Sequence, residues 1–267
     1  MSLILNVICD GGLRRDQLPM LVRVMPIRTL FKTIRKFSAA ADAANTNRVV
    51  MMGPPGSGKG TYAARTSTAL AIPAISTGDL LRSEISGGGK RSEYLNALVA
   101  SGKFVGDEVV KEILTDRLQA PDCTHGFILD GYPRTLLQVG TLDSIASPTK
   151  VVLLEMRRDI IMRKMAGRRL CSNCGAGYNL VPIHEPGIDM PAILPQNPGF
   201  CDKCNHALVQ RADDHPEVMQ RRLELFEKES APIVAEYEKR GILIRFSSVG
   251  EINKRVQMLL RVLRGVV

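Results

Sequence analysis

Nine consecutive residues, Gly53-Pro54-Pro55-Gly56-Ser57-Gly58-Lys59-Gly60-Thr61, carry the plainest chemistry in the chain. A polyphosphate needs many donors converging on it. Glycines at this density let backbone N–H groups point inward with no Cβ in the way. Lys59 can reach the outer phosphate oxygens as a point charge, and Thr61 can help order Mg²⁺. Gly60, not a hydroxyl residue, follows Lys59 directly, and the hydroxyl arrives one residue later. Arg48 to Met52 reads as a buried strand and Tyr62 to Leu70 as a helix. The loop then lies at a helix N-terminus, whose dipole favours anions.

A second constellation starts at Phe127-Ile128-Leu129, an apolar strand core ended by Asp130. A carboxylate at a parallel strand tip, beside the phosphate loop, is placed to hold Mg²⁺ through water. Gly131-Tyr132-Pro133-Arg134 leads into a new helix. Arg134 thus falls at the carboxyl edge of the sheet, where open α/β folds bind ligands, and its fork suits phosphate oxygens. Between these motifs, Ile75 to Arg82 follows another short strand, with Ser76 or Thr77 as a cap for a helix beginning near Asp79. Taken alone, that segment is equally a structural helix start.

Four of the six cysteines form Cys171-x-x-Cys174 and Cys201-x-x-Cys204, while Cys9 and Cys123 stand apart. Paired knuckles of this kind point to tetrahedral, structural Zn²⁺, since each tight turn supplies two thiolates. The 26 residues between the pairs exceed the roughly 15 to 20 of the usual spacing. Five prolines crowd that gap, and a stiffened loop tolerates the extra length. Disulfides or loose thiols are the competing readings.

These residues need a frame. Lys150 to Glu155 and Ile242 to Phe246 read as further strands, and helices span roughly 157–166, 215–239 and 251–264. Strand and helix alternate, so the expected fold is α/β: a five-stranded parallel P-loop sheet flanked by helices. Composition is 45% hydrophobic and 24% charged, which argues against global disorder, and no apolar run is long enough to span a bilayer. Aromatics make up 4%, too few for stacking on nucleic acid to be the main activity.

The net charge is +9, and residues 1–40 concentrate it, with seven Lys and Arg against Asp10 and Asp16. Leu30, Phe31, Ile34 and Phe37 fall at helical spacing, with Arg28, Lys32 and Arg35 on another side. That basic amphipathic pattern, with no acidic residue from Gln17 to Ala41, is expected of an organellar transit peptide, mitochondrial rather than plastid because Ser and Thr are few. The alternative is a basic extension that stays on the protein. Residues 1–47 are therefore read as transit peptide plus linker, and 48–267 as the catalytic domain.

Phe127 through Gln138 reads Phe-Ile-Leu-Asp-Gly-Tyr-Pro-Arg-Thr-Leu-Leu-Gln, which resembles the signature of the adenylate kinase family. The resemblance runs from about Arg48 to the C-terminus. It implies reversible phosphoryl transfer from ATP to AMP giving two ADP, with Mg²⁺ on the nucleotide, by a monomer that binds no nucleic acid. Gly56, Ser57, Gly58, Lys59, Gly60, Thr61, Arg168, Gly177 and Tyr178 would meet ATP. Thr77, Arg82, Lys103, Phe104, Val105, Gly131, Tyr132, Pro133, Arg134 and Gln138 would meet AMP, on a mobile arm over 76–105 and at the sheet edge. Gln138 would bond the adenine edge. The region 167–214 is similar to the long, zinc-containing lid of the family. Arg211 from the lid and Arg222 from the next helix would clamp phosphates, completing with Lys59, Arg134 and Arg168 the catalytic set. Lys164 stands where the family often has arginine, keeping the charge but not the fork. Ser248 to Gly250 would meet the donor base through backbone. No catalytic histidine is expected, although His184 and His206 lie near the knuckles. Gly87-Gly88-Gly89, inside the arm, is either a set of flexible points or an indifferent surface turn. A GTP:AMP phosphotransferase is the nearest rival, and an inactive nucleotide-binding zinc module a more distant one. UMP/CMP kinases have short lids, which counts against them.

Overall fold

The structure is a computed structural model that describes residues 47–88, 90–100, 105–210 and 214–265. The expected N-terminal extension lies outside the described residues, as do Cys9, Gly89, Lys103, Phe104 and Arg211. The chain divides into units at 1–46 and 47–267, and the second is described here.

It runs β1 (Asn47–Met52), α1 (Lys59–Leu70), β2 (Ala74–Ser76), α2 (Thr77–Ser86), α3 (Lys90–Ala100) and α4 (Asp107–Leu118). Next come β3 (Gly126–Asp130), α5 (Leu136–Ala146), β4 (Lys150–Glu155) and α6 (Arg158–Gly167). Five short strands follow: β5 (Arg168–Cys171), β6 (Gly177–Asn179), β7 (Ile183–Glu185), β8 (Ile188–Met190) and β9 (Leu208–Val209). The chain returns through α7 (Pro216–Lys239), β10 (Leu243–Ser247) and α8 (Ile252–Leu263).

Five strands form a parallel sheet in the order β10-β4-β1-β3-β2. Their uninterrupted apolar runs follow from burial on both faces. Val49, Met51, Ile128, Val152 and Leu154 pack on one face with Tyr62 of α1 and Leu259 and Leu260 of α8. Val50, Leu129 and Val151 pack on the other with Leu114 of α4, Leu142 of α5 and Tyr237 of α7. β1 is central, and the chain builds first to one side of it and then to the other. Ligand crevices in such sheets open where the order reverses, at the carboxyl ends of the strands.

The expected five-stranded α/β fold is present, with element ends shifted by a few residues. The largest shift is at α1, which begins at Lys59 rather than Tyr62 because Gly58, at φ 93°, serves as its N-cap. Gly87 and Gly88 lie between α2 and α3. The interior of 167–214 is β-structured: a three-stranded sheet in the order β6-β5-β9 and a separate β7–β8 hairpin.

Candidate functional site

Register places the motifs at one edge. Asp130 pairs with Met51 and with Ser76, and Met52 with Leu153, so Gly53, Thr77 and Gly131 leave the sheet side by side. At Gly56, φ is 86° and a Cβ would stand 2.7 Å from Met165 Sδ, so only glycine lets the loop press so closely on α6. Lys59 Nζ donates to the carbonyls of Gly53 at 2.8 Å and Pro54 at 3.0 Å, and so curls back over the loop. The buried hydroxyl of Ser57 has no hydrogen-bond partner among the described residues.

Charges converge on Lys59. Burial pushes its ammonium down to about 8; Asp130 opposes that shift, and Arg134, Arg222 and Arg168 add to it. Three guanidinium groups and one carboxylate therefore act on Lys59. Arg134 is likewise held below its usual range, by desolvation first and then by Arg222, with Asp130 acting against. It keeps accessible surface but faces into the recess, and its Nε donates to Gly131 O at 2.8 Å. Concentrated positive charge of this kind is costly without an anion to neutralise it.

Arg168 is held by a carboxylate that the sequence reading passed over. Its Nε donates to Asp214 Oδ2 at 2.9 Å, and Nη2 pairs with Oδ1. The Asp214 side chain is fully buried. An arginine fork engaged on both nitrogens is fixed in direction. The only sequence signal was an Asp closing the Arg211-Ala212-Asp213-Asp214 run.

On the other side, Ser76 caps α2, its hydroxyl accepting from Asp79 N at 3.3 Å. Thr77 is buried and donates to Asp130 O at 3.4 Å, while Arg82 pairs with Asp79. Val105 is half-buried just before α4. The Tyr132–Pro133 peptide is cis. Gln138 is buried with both ends of its amide engaged: Oε1 accepts from Arg134 N and Nε2 donates to Asp107 Oδ1, each at 2.7 Å. Its Nε2 keeps a second N–H and its Oε1 a second lone pair.

In the lid, the Sγ atoms of Cys171, Cys174, Cys201 and Cys204 all lie within 4.8 Å of one another, and all four are free thiols. Cys171 and Cys204 are 3.4 Å apart, and Cys174 and Cys201 3.5 Å. Tetrahedral Zn²⁺ with Zn–S near 2.3 Å sets sulfurs roughly 3.8 Å apart, so the cluster fits that ion. Backbone N–H groups of Asn173 and Cys174 point at Cys171 Sγ, and that of Lys203 at Cys201 Sγ, each at 3.4 Å. The His206 N–H helps hold the Cys204 thiol down to about 5. Although the Ala176 N–H pulls the Cys174 thiol down, desolvation and its three sulfur neighbours push it up to about 12. Four thiolates packed this closely would repel one another without a cation among them. Tyr178 links this cluster to the cleft, donating to Cys201 Sγ at 3.6 Å and accepting from Asp202 N at 2.8 Å.

One cleft of about 1930 Å³ takes in the phosphate loop, Arg82, Gly131 to Arg134, Arg168, Gly177, Tyr178 and Arg222. Lys164 also lines it, and burial holds its ammonium below the usual range. Thr77, Val105 and Gln138 are not among its lining residues. The volume exceeds the usual single small-molecule pocket of about 300–1,000 Å³, which suits two ligands side by side. Among the described residues no helix is long and apolar enough to cross a membrane.

Residues 51–242 match the adenylate kinase family model. The chain is 40% identical over 223 residues to "Adenylate kinase 1, chloroplastic" of Arabidopsis thaliana, covering 80% of this chain and 77% of that one. It is 38% identical over 225 residues to "Adenylate kinase" of Ruminiclostridium cellulolyticum, covering 81% and 99%. It is 38% identical over 255 residues to "Probable adenylate kinase 1, chloroplastic" of Oryza sativa subsp. japonica, covering 90% and 85%. With the phosphate loop, the arginines and the two-ligand cleft in one place, these matches show that the chain belongs to the adenylate kinase family and is a nucleoside monophosphate kinase.

Proposed function

We propose that the chain catalyses reversible phosphoryl transfer from ATP to AMP, giving two ADP. The observation that carries this reading is the convergence of Asp130, Arg134, Arg168 and Arg222 on Lys59 at the floor of a cleft large enough for two nucleotides. An ionised AMP phosphate oxygen is already a nucleophile, so the reaction needs no general base. It needs positioning, charge neutralisation and exclusion of water.

Donor phosphates lie in the loop from Gly56 to Thr61, with Lys59 on the outer oxygens. Arg168, aimed by Asp214, and Gly177 and Tyr178 complete the donor side from the lid. Thr77, Arg82, Val105, Gly131 to Pro133 and Gln138 hold AMP. Arg134 and Arg222 straddle the transferring group. By the family resemblance, Lys103 and Phe104 join the acceptor side and Arg211 the phosphate clamp. Mg²⁺ bound near Thr61 and Asp130 would neutralise charge on the donor's oxygens. The Asp130 carboxylate fits that place, since its Oδ2 would be 3.6 Å from a Cβ on Gly60, in the loop itself. Zn²⁺ on the four cysteines is structural, because four thiolates leave it no open position.

The catalytic domain spans 48–267, with 76–105 as the monophosphate arm and 167–214 as the lid, and works as a monomer. Residues 1–47 act as an organellar address. Their basic amphipathic pattern supports the mitochondrion, and the chloroplastic names of the plant relatives suit a plastid as well. A panel of ATP, GTP and ITP against AMP, GMP, CMP and UMP tests the reaction. ATP with AMP is expected to give the highest kcat/KM. GTP with AMP ahead of it transfers the reading to the rival phosphotransferase, and turnover by no pair refutes the enzyme.

A further inference from the structure

The long spacer between the knuckles is more than the zinc cluster requires, and the structure gives it a place. Residues 183–190 form the β7–β8 hairpin, but its apolar side does not join the knuckle interior of Cys171, Tyr178 and Cys201. Ile183 and Met190, both buried, pack instead on Ile160 of α6 and on Val249. Glu185 pairs with Arg163 and, at 3.5 Å, with Arg157, both on the α6 side. The chain after the hairpin runs beside β6, with Ile193 and Asn179 exchanging backbone hydrogen bonds of 2.8 and 3.0 Å.

Val249 belongs to the turn after β10, and that turn is held from beneath. Ser248 N donates to Glu155 O at 2.9 Å, and Tyr62 OH to Ser248 O at 3.4 Å. Arg255 stacks on Phe246 at 4.5 Å and donates to Ser247 O. The hairpin caps the turn from above. Met190, Ile193 and Leu194 then line the cleft, as do Ser248, Gly250 and Asn253. The cleft thus has an apolar wall and a fixed turn among its lining.

We infer that this inserted segment, Ile183 to Leu194, is a specificity element for the donor. Its apolar side chains contact the flat face of the triphosphate's purine, and its seat on Val249 fixes the turn that meets the base edge. The assignment rests on the kinase reading of the cleft. It makes the hairpin part of the donor site's standing wall, attached to α6, rather than part of the zinc module.

The test compares full-length chain with Ile193→Ser, which strips the half-buried wall, and Ile183→Ala, which loosens the seat. The KM for ATP is expected to rise about tenfold in both, as loss of one well-packed apolar contact implies, with the KM for AMP within about twofold. The preference for ATP over UTP should narrow, since a pyrimidine has less face to lose. A donor KM within twofold of wild type in Ile193→Ser overturns the proposal, whatever Ile183→Ala does to folding. So does a parallel rise in both KM values, which belongs to a general structural role. Equilibrium titration with ATP alone reads the wall without catalysis. A chain that binds ATP but makes no ADP contradicts the kinase reading and leaves the wall still measurable.

Discussion

Around the phosphate loop, five parallel strands bury apolar side chains on both faces, and the site residues hang from their ends. In the lid, the short strands β5, β6 and β9 surround four sulfurs and an interior of a few side chains, while β7 and β8 pack on α6 instead. The difference lies in what holds each region. The sheet buries enough apolar area that residues at its edge can be spent on chemistry. So small a lid interior gives little core of its own, and the four-sulfur cluster fits a metal staple that would substitute for it. Substitutions near the loop should therefore separate activity from stability, and substitutions in the lid should not.

The largest effect is expected at the loop. Arg134→Ala should lower kcat by about 10²- to 10³-fold, the range for removing one preorganised donor to developing charge. Its melting temperature should stay close to wild type, because Arg134 keeps accessible surface and packs in neither core cluster. Steady-state kinetics and a thermal melt check both halves. Turnover near wild type, or a collapsed melt, breaks the comparison from the core side.

The lid is probed by Cys201→Ser. Metal analysis of unchelated wild-type protein should give about one zinc per chain, and the variant almost none. Limited proteolysis of the variant should cut first between β5 and β9 while the sheet region resists, since local opening follows local contact density. The donor KM should rise roughly tenfold or more, because Tyr178 is anchored on the Cys201 sulfur. Equal protease resistance with and without zinc contradicts the staple.

A smaller effect sharpens the acceptor side. Gln138→Ala removes a buried amide that supports Arg134 N and holds Asp107. The KM for AMP should rise about tenfold, the worth of about one hydrogen bond in a dry site, with the donor KM little changed. A shift in the donor KM alone would move Gln138 out of the acceptor pocket.

The smallest effect is in pH. Lys59 is held at about 8, below the ordinary 10.5, mainly by burial. The free enzyme must regain that proton to grip phosphates, so the donor KM should be flat below pH 7 and about twofold higher by pH 8, then steeper. The sign for stability is opposite. Between about pH 8 and 10.5 the unfolded chain binds more protons at Lys59, so its contribution to stability rises across that window. A donor KM independent of pH from 7 to 9 refutes the proton linkage.

Much of the core was legible because its constraints are local. A glycine run between strand and helix has few uses, and Asp130 ends a strand with Arg134 a fixed step beyond it. The largest shift of an element end came where a cap decided it, as Gly58 does for α1. The lid was legible in its cysteines but not in its strands, because two- and three-residue strands leave no periodic signal. The hairpin looked like excess spacer, since its partners Ile160 and Val249 are distant in sequence. Asp214 escaped notice for the same reason: its role comes from facing Arg168, 46 residues away. Sequence could not show that the Gln138 amide bonds Arg134 N at one end and Asp107 at the other.

Phosphorus NMR of the full-length chain with ATP, AMP and Mg²⁺ separates a kinase from a hydrolase. ATP and AMP signals should fall together, two ADP should form for each pair consumed, and no inorganic phosphate should appear. Phosphate released while AMP stays constant would mark a triphosphatase and contradict the account.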